Sequence, residues 1–275
     1  MRRALQQHWP EYVIEGALLA LFMVSACTFG VLLFHPSSPV IDHLPNALIQ
    51  RMLMGLAMGA TAVGLIYSPW GKRSGAHFNP AVTLTFYRLG RIAPWDAAFY
   101  ALAQFVGGIC GVMMSQMALG TLIQHPSVNY VVTGPGEYGV EVAFAAEAGI
   151  TFVLMSVILR VSNHRRFAQF TGVCAGLLVA MFITFESPIS GMSMNPARSF
   201  ASAFAAYSWM AQWIYFVAPP LGMLAAAQVY LMTHGGARIG CAKLHHSERH
   251  RCIFCAFHQA RKTIPPGQVG VVAAK

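Results

Sequence analysis

Two tripeptides carry the residues best placed to act on another molecule. Asn79-Pro80-Ala81 lies in FNPAVTLT, and Asn195-Pro196-Ala197 lies in SMNPARSF, followed at once by Arg198. One Asn-Pro is an ordinary turn starter. Two copies, each inside an apolar half of the chain, need a shared cause. Asn is a favoured N-cap, and Pro suits the first helical turn, where its missing N–H would have been unpaired anyway. Each tripeptide is therefore expected to open a helix. A helix N-terminus carries roughly half a positive charge, so two that face each other repel cations. Asn79 and Asn195 can each also offer a side-chain N–H to a passing oxygen. That chemistry is recognition of uncharged polar groups. No Gly-rich phosphate loop, nucleophile elbow or converging catalytic constellation accompanies it, so neither an enzyme nor a cofactor is expected.

The elements that must position these residues follow from composition. The 275 residues are 56% hydrophobic and 10% charged, with a mean hydropathy of +0.54. Soluble domains carry roughly 25% charged residues, so an all-α, multi-pass membrane protein is expected. Six spans can be read at about 12–34, 47–67, 95–118, 140–160, 168–186 and 209–232, each near the ~20 residues that cross a bilayer core. The first resembles a signal peptide, but Glu11 and Glu15 are acidic and the apolar run continues to Phe34, long enough to span. With the N-terminus inside, 16 of the 18 Lys and Arg fall on the inner side, and only Arg51 and Arg198 do not. This bias sets both termini as cytoplasmic, at the plasma (inner) membrane. It also accounts for the net charge of +9 without nucleic acid.

The segments opened by Asn79 and Asn195, to Arg88 and Phe204, are only about ten residues each. At ~1.5 Å per residue each covers roughly half the hydrocarbon core. They are expected as re-entrant half-helices, one entering from each side, whose N-termini meet at the midplane. The backbone leading into them, Gly75-Ala76-His77 and Gly191-Met192-Ser193, is non-helical and tolerable only along a wet cavity, where its carbonyls form a ladder of acceptors. The organisation is then a short N-terminus (1–11), a first repeat (12–118), a connecting loop (119–139), a second repeat (140–232) and a basic tail (233–275). Three spans per repeat is odd, so the second repeat is inverted, and inverted repeats place their site near the midplane.

The paired motifs SGAHFNPAVTLTF and SGMSMNPARSF, six spans, and Glu15 and Glu147 in spans one and four closely resemble the aquaporin and glycerol-facilitator superfamily. The resemblance covers about 11–232 and suggests a bacterial-type member. It implies an hourglass of six tilted helices plus two half-helices, one pore per subunit, and a homotetramer in membrane lipid. It makes Asn79 and Asn195 midplane donors, Arg198 the cation of the outer constriction, and Glu15 and Glu147 buried braces of the re-entrant loops. The implied function is a passive channel for water and small uncharged solutes that excludes ions and protons.

The constriction decides which solutes pass. Facilitators typically carry Asp after the motif's Arg. This chain has Ser199, then Ala203, and Tyr215 and Phe216 in span six, which lean toward the aquaporin side. Water-selective members usually place Phe in span two and His in span five. Here the corresponding residues are Met58 or Gly59, which remain alternatives, and a position near Ile183, with Met192 before the second motif. This filter is less polar than a strict water filter, and wider if Gly59 faces the pore. Water plus small neutral solutes is the reading, with strict water selectivity as the alternative. A secondary transporter and a scaffold occluded by Met58 and Met192 are the other classes. His77 is expected to brace its loop.

Cys27, Cys110 and Cys174 sit singly in apolar runs as packing residues. The tail holds CAKLHHSERHRCIFCAFH. Cys252, Cys255 and His258, with His245, His246 or His250, have zinc-ligand spacing. No second Cys pair closes a four-ligand pattern, so a cationic tail on anionic headgroups is preferred and no metal is assigned.

Overall fold

The computed structural model describes residues 1–44, 46–235, 239–246 and 251–262. The first half holds α1 (Arg2–Phe34), α2 (Ala47–Tyr67), the short α3 (Pro69–Ser74), α4 (Pro80–Arg88) and α5 (Pro94–Leu119). The second half repeats that order with α6 (Gly139–Ser162), α7 (Thr171–Phe185), the short α8 (Ser187–Ser190), α9 (Pro196–Ala206) and α10 (Trp213–His234). A last helix, α11 (Ile253–Lys262), lies in the tail. Among the described residues, six helices are long and apolar enough to cross a membrane: α1, α2, α5, α6, α7 and α10. The protein is an all-α, aquaporin-like inverted repeat with two half-helices, α4 and α9.

Three helix pairs set the frame. Within the halves α1 packs on α5 and α6 on α10, and α2 packs on α7 across them. Lipid supplies no hydrophobic drive between helices, so close approach through small residues takes its place. A Cβ on Gly107 of α5 would lie 2.0 Å from the Gly16 carbonyl of α1. One on Gly222 of α10 would lie 2.2 Å from the Ala148 carbonyl of α6. The two crossings are counterparts in the two repeats.

Residues 2–11 are helical as well and run on into the first span as part of α1. They are held because His8 Nδ1 and the Tyr12 hydroxyl both reach Asp96 Oδ1 on α5, at 2.9 and 2.5 Å, and Arg73 reaches Glu11 at 3.2 Å. The other spans shift by a few residues. The sixth begins at Trp213 rather than 209, and the fifth is led by a single 3-10 turn at 168–170.

Gly107→Ala should destabilise the fold by about 1–3 kcal/mol, the usual range for overpacking. Thermal melting in detergent reads this directly, and an unchanged melting temperature would mean that the α1–α5 crossing is looser than described.

Candidate functional site

The two half-helices start as their sequences require. Asn79 and Asn195 are the N-caps, with extended backbone, and their side-chain oxygens accept from the N–H of Ala81 (2.9 Å) and Ala197 (3.1 Å). Pro80 and Pro196 occupy the first helical position. The side-chain nitrogens then cross between the repeats. Asn79 Nδ2 donates to the Met194 carbonyl at 2.8 Å, and Asn195 Nδ2 donates to the Phe78 carbonyl at 2.7 Å. Each amide thus gives one of its two N–H groups to the opposite loop, a use the sequence reading did not foresee. The N-termini of α4 and α9 face each other through this reciprocal clasp.

The loops before the caps are strained in matched places. Gly75, Ala76 and Phe78 have positive φ, as do Gly191, Met192 and Met194. Four of these six are not glycine, and left-handed backbone costs a non-glycine residue about 1–3 kcal/mol. Buried carboxylates offset the strain. Glu15 accepts from the Ser74 hydroxyl (2.7 Å), the N–H of His77 (3.1 Å) and Phe78 (2.7 Å), and Gln104 Nε2 (2.9 Å). Glu147 accepts from the Ser190 hydroxyl (2.8 Å) and the N–H of Ser193 (2.6 Å) and Met194 (2.8 Å). Hydrogen bonds to charged groups are worth about 1.5–3 kcal/mol each, enough to hold both loops.

Two braces were missed in the sequence. The Tyr100 hydroxyl donates to the Ser74 carbonyl at 2.7 Å, and the Tyr215 hydroxyl donates to the Ser190 carbonyl at 2.5 Å. They stand at equivalent points of α5 and α10, so aligning the repeats would have paired them. Ser199 is also structural: its buried hydroxyl lies 2.6 Å from that of Thr133 and also meets that of Ser193.

A cavity of about 390 Å³ runs past this clasp. Asn79, Asn195, His77, Gly191, Met192, Ser193 and Arg198 line it, along with Met58 and Ile183. Gly59 does not. A Cβ there would lie 2.5 Å from the Gly176 carbonyl of α7, so Gly59 serves the α2–α7 contact and cannot widen the cavity. Most of the remaining wall is apolar, including Phe22, Phe34, Val131 and Val179. Pro80, Ala81, Pro196 and Ala197 do not line it; they form the first turns of the half-helices. Gly75 and Ala76 are not part of the wall either. The Gly75 carbonyl accepts from the Leu244 N–H of the tail at 3.1 Å, so it is no free rung of an acceptor ladder.

Arg51 is an addition. It lines the same cavity, and its Nε donates to the Thr184 carbonyl at 3.2 Å. The signal was present in the sequence, because Arg51 and Arg198 are the two cations that break the charge bias. Both turn out to be cavity residues.

In the tail, Cys252 and Cys255 come together with Cys241 and His246, whose donor atoms all lie within 4.8 Å of one another. His258 is not in that group. The chain before α11 folds back and supplies Cys241 and His246 in its place. His245 lies against the Tyr67 ring instead, with centroids 4.9 Å apart. His250 lies outside the described residues.

The sequence matches the family described as Major intrinsic protein over residues 7–230. The chain belongs to that family. It is 37% identical to aquaporin NIP2-3 of Zea mays over 187 residues, which is 67% of this chain and 60% of the maize protein. It is 33% identical to aquaporin NIP1-1 of Arabidopsis thaliana over 206 residues, 72% of this chain and 68% of that protein. It thus spans about 60% of the length of the maize relative. Among solved structures, the aquaglyceroporin from Plasmodium falciparum superposes with a TM-score of 0.68 at 18% identity, covering 84% of this chain and 99% of that one. That likeness bears on the fold.

Glu147→Gln should lower stability by about 1–3 kcal/mol, because a side-chain NH₂ then faces a buried N–H that loses its acceptor. The drop is read as the melting temperature in detergent. A variant as stable as the parent would show that the carboxylate is not what holds the second loop.

Proposed function

We propose that the chain is a passive membrane channel for water and small uncharged solutes. The observation that carries the proposal is the cavity that passes the meeting point of two helix N-termini. Both asparagine caps reach that cavity while each commits one N–H to the opposite loop. A cation at this point meets two partial positive charges in a setting of low dielectric, where they are poorly screened. A neutral solute with an oxygen finds the second N–H of each amide. Ions and protons are excluded by this focus, with Arg198 as the cation of the outer constriction.

Met58, Ile183 and Met192 complete that constriction in the proposal. Their side chains offer water no hydrogen bonds, so the filter favours neutral solutes that carry some apolar surface over strictly water-only passage. Pore carbonyls come from His77, Gly191 and Ser193. Arg51 adds a second positive charge near the outer mouth. The names of the relatives, aquaporin and aquaglyceroporin, agree with a channel rather than an enzyme. A coupled transporter is disfavoured because the clasp between Asn79 and Met194 and between Asn195 and Phe78 ties the two repeats together where a carrier would need to rock.

The bias of 16 of 18 Lys and Arg supports cytoplasmic termini. We place the protein in the plasma (inner) membrane, and as a homotetramer, the assembly that the family resemblance implies.

Stopped-flow light scattering on proteoliposomes tests the proposal. Fast shrinkage in sucrose followed by re-swelling in glycerol is expected. Shrinkage without re-swelling would replace it with a strict water channel, and flux no faster than bare lipid would end the channel reading. Arg198→Ala should raise the glycerol-to-water permeability ratio several-fold, and an unchanged ratio would remove Arg198 from the constriction.

A further inference from the structure

The tail docks on the terminus side of the cavity and reaches into it. Leu244 is buried and lines the cavity wall, and its N–H donates to the Gly75 carbonyl at 3.1 Å. His77 Nε2 donates to the Ala242 carbonyl at 2.7 Å. Phe254 of α11 stacks on the His77 ring, with centroids 5.6 Å apart and planes within 8°. Lys243 Nζ donates to the Lys72 carbonyl at 2.8 Å and the Arg251 carbonyl at 3.3 Å. The segment therefore closes over the loop that leads into the first half-helix.

These contacts and the burial of Ile253 and Phe254 in the main core hold the tail against the body, but little within the tail fixes its own shape. Helix α11 has ten residues, and isolated helices shorter than about 12–15 residues are marginal in water. Small units of this size usually depend on disulfides or metals. The described tail brings together the donors such a link requires. Cys241 Sγ lies 3.4 Å from Cys252 Sγ, and Cys255 Sγ lies 3.4 Å from His246 Nε2. Tetrahedral zinc with Zn–S near 2.3 Å and Zn–N near 2.0–2.1 Å separates its ligands by about 3.5–3.8 Å. The Cys255 N–H also points at Cys252 Sγ, at 3.5 Å, the outer-shell support that metal ligands commonly receive. Three sulfurs and one imidazole in a closed set of four match a structural zinc site. A Cys241–Cys252 disulfide would use only two of the four donors and leave the convergence of Cys255 and His246 unexplained.

We propose that Cys241, His246, Cys252 and Cys255 bind one zinc ion, and that this ion pins Leu244 in the terminus-side mouth of the cavity. Zinc ties the 241–246 run to α11 and so fixes the Leu244 side chain between its two anchored ends. Loss of zinc releases both, and the mouth opens. The gating half rests on the channel reading above; the binding half does not.

The test uses the full chain purified without chelator. Metal analysis should give about one zinc per chain, and about none in Cys252→Ser/Cys255→Ser. Replacement by Co²⁺ should give the visible absorption of a tetrahedral thiolate site. A wild-type chain without zinc that takes up no Co²⁺, or one whose Cys241 and Cys252 are recovered as a disulfide, overturns the site. So does a double serine variant that keeps its zinc. In proteoliposomes, zinc removal by a chelator should raise solute flux several-fold, and restored zinc should lower it again. Leu244→Ala should keep its zinc yet lose that response. Full zinc occupancy with identical flux in both metal states overturns the gate and leaves the site standing. Absence of flux in every state, Leu244→Ala included, defeats the channel reading and the gate with it, while the metal analysis still decides the site.

Discussion

A backbone N–H or carbonyl left unpaired in hydrocarbon costs several kcal/mol, and each repeat here carries a non-helical stretch of chain into the centre of the bundle. Everything else depends on how those two stretches are satisfied. Glu15 and Glu147 do most of it, each gathering backbone N–H groups and a serine hydroxyl of its own loop. Tyr100 and Tyr215 take a serine carbonyl on each side. Only with the loops held in this way do Asn79 and Asn195 arrive opposite one another as helix caps. A carboxylate is a costly thing to bury, and its placement inside α1 and α6 makes sense only against the larger cost of unpaired loops.

The symmetry of the repeats has a consequence for rigidity. The amide clasp from Asn79 to Met194 and from Asn195 to Phe78 ties the two loops to each other, and the close helix crossings at Gly107 and Gly222 tie each loop's brace to its partner helix. The meeting point of α4 and α9 is thus held from both repeats. The two ends of the cavity are where the repeats differ. Toward one end lie Arg198 and Arg51, and toward the other the tail with Leu244. In the proposed channel, selectivity belongs to the first end and regulation to the second.

Much of this was legible in the sequence. The half-helices could be read because Asn-Pro at a helix start and a run of about ten residues leave few alternatives, and the six spans because hydropathy over ~20 residues is a strong signal. Which of Met58 and Gly59 faces the cavity could not be read. That depends on the rotation of α2, which the contact of Gly59 with Gly176 sets. Tyr215 was read only as a mark of the aquaporin side and Tyr100 not at all, since their hydroxyl partners are carbonyls far along the chain. Arg51 was visible as an exception to the charge bias, but its place on the cavity wall required the fold. In the tail, too, the grouping of side chains required the fold. Cys-x-x-Cys with His258 had an attractive spacing, yet the chain folds back and brings Cys241 and His246 to it instead.

In the proposed channel, two helix N-termini make a positive focus inside a water-filled pore. Planar-bilayer recording of Asn195→Asp tests it most directly, with osmotic water flux measured on the same preparation to show that the pore remains. The unmodified chain should be electrically silent, and the variant, which places a negative charge at the focus, should carry a cation-selective current. A variant that still passes water but carries no cation current would contradict a dipole focus at the meeting point of α4 and α9.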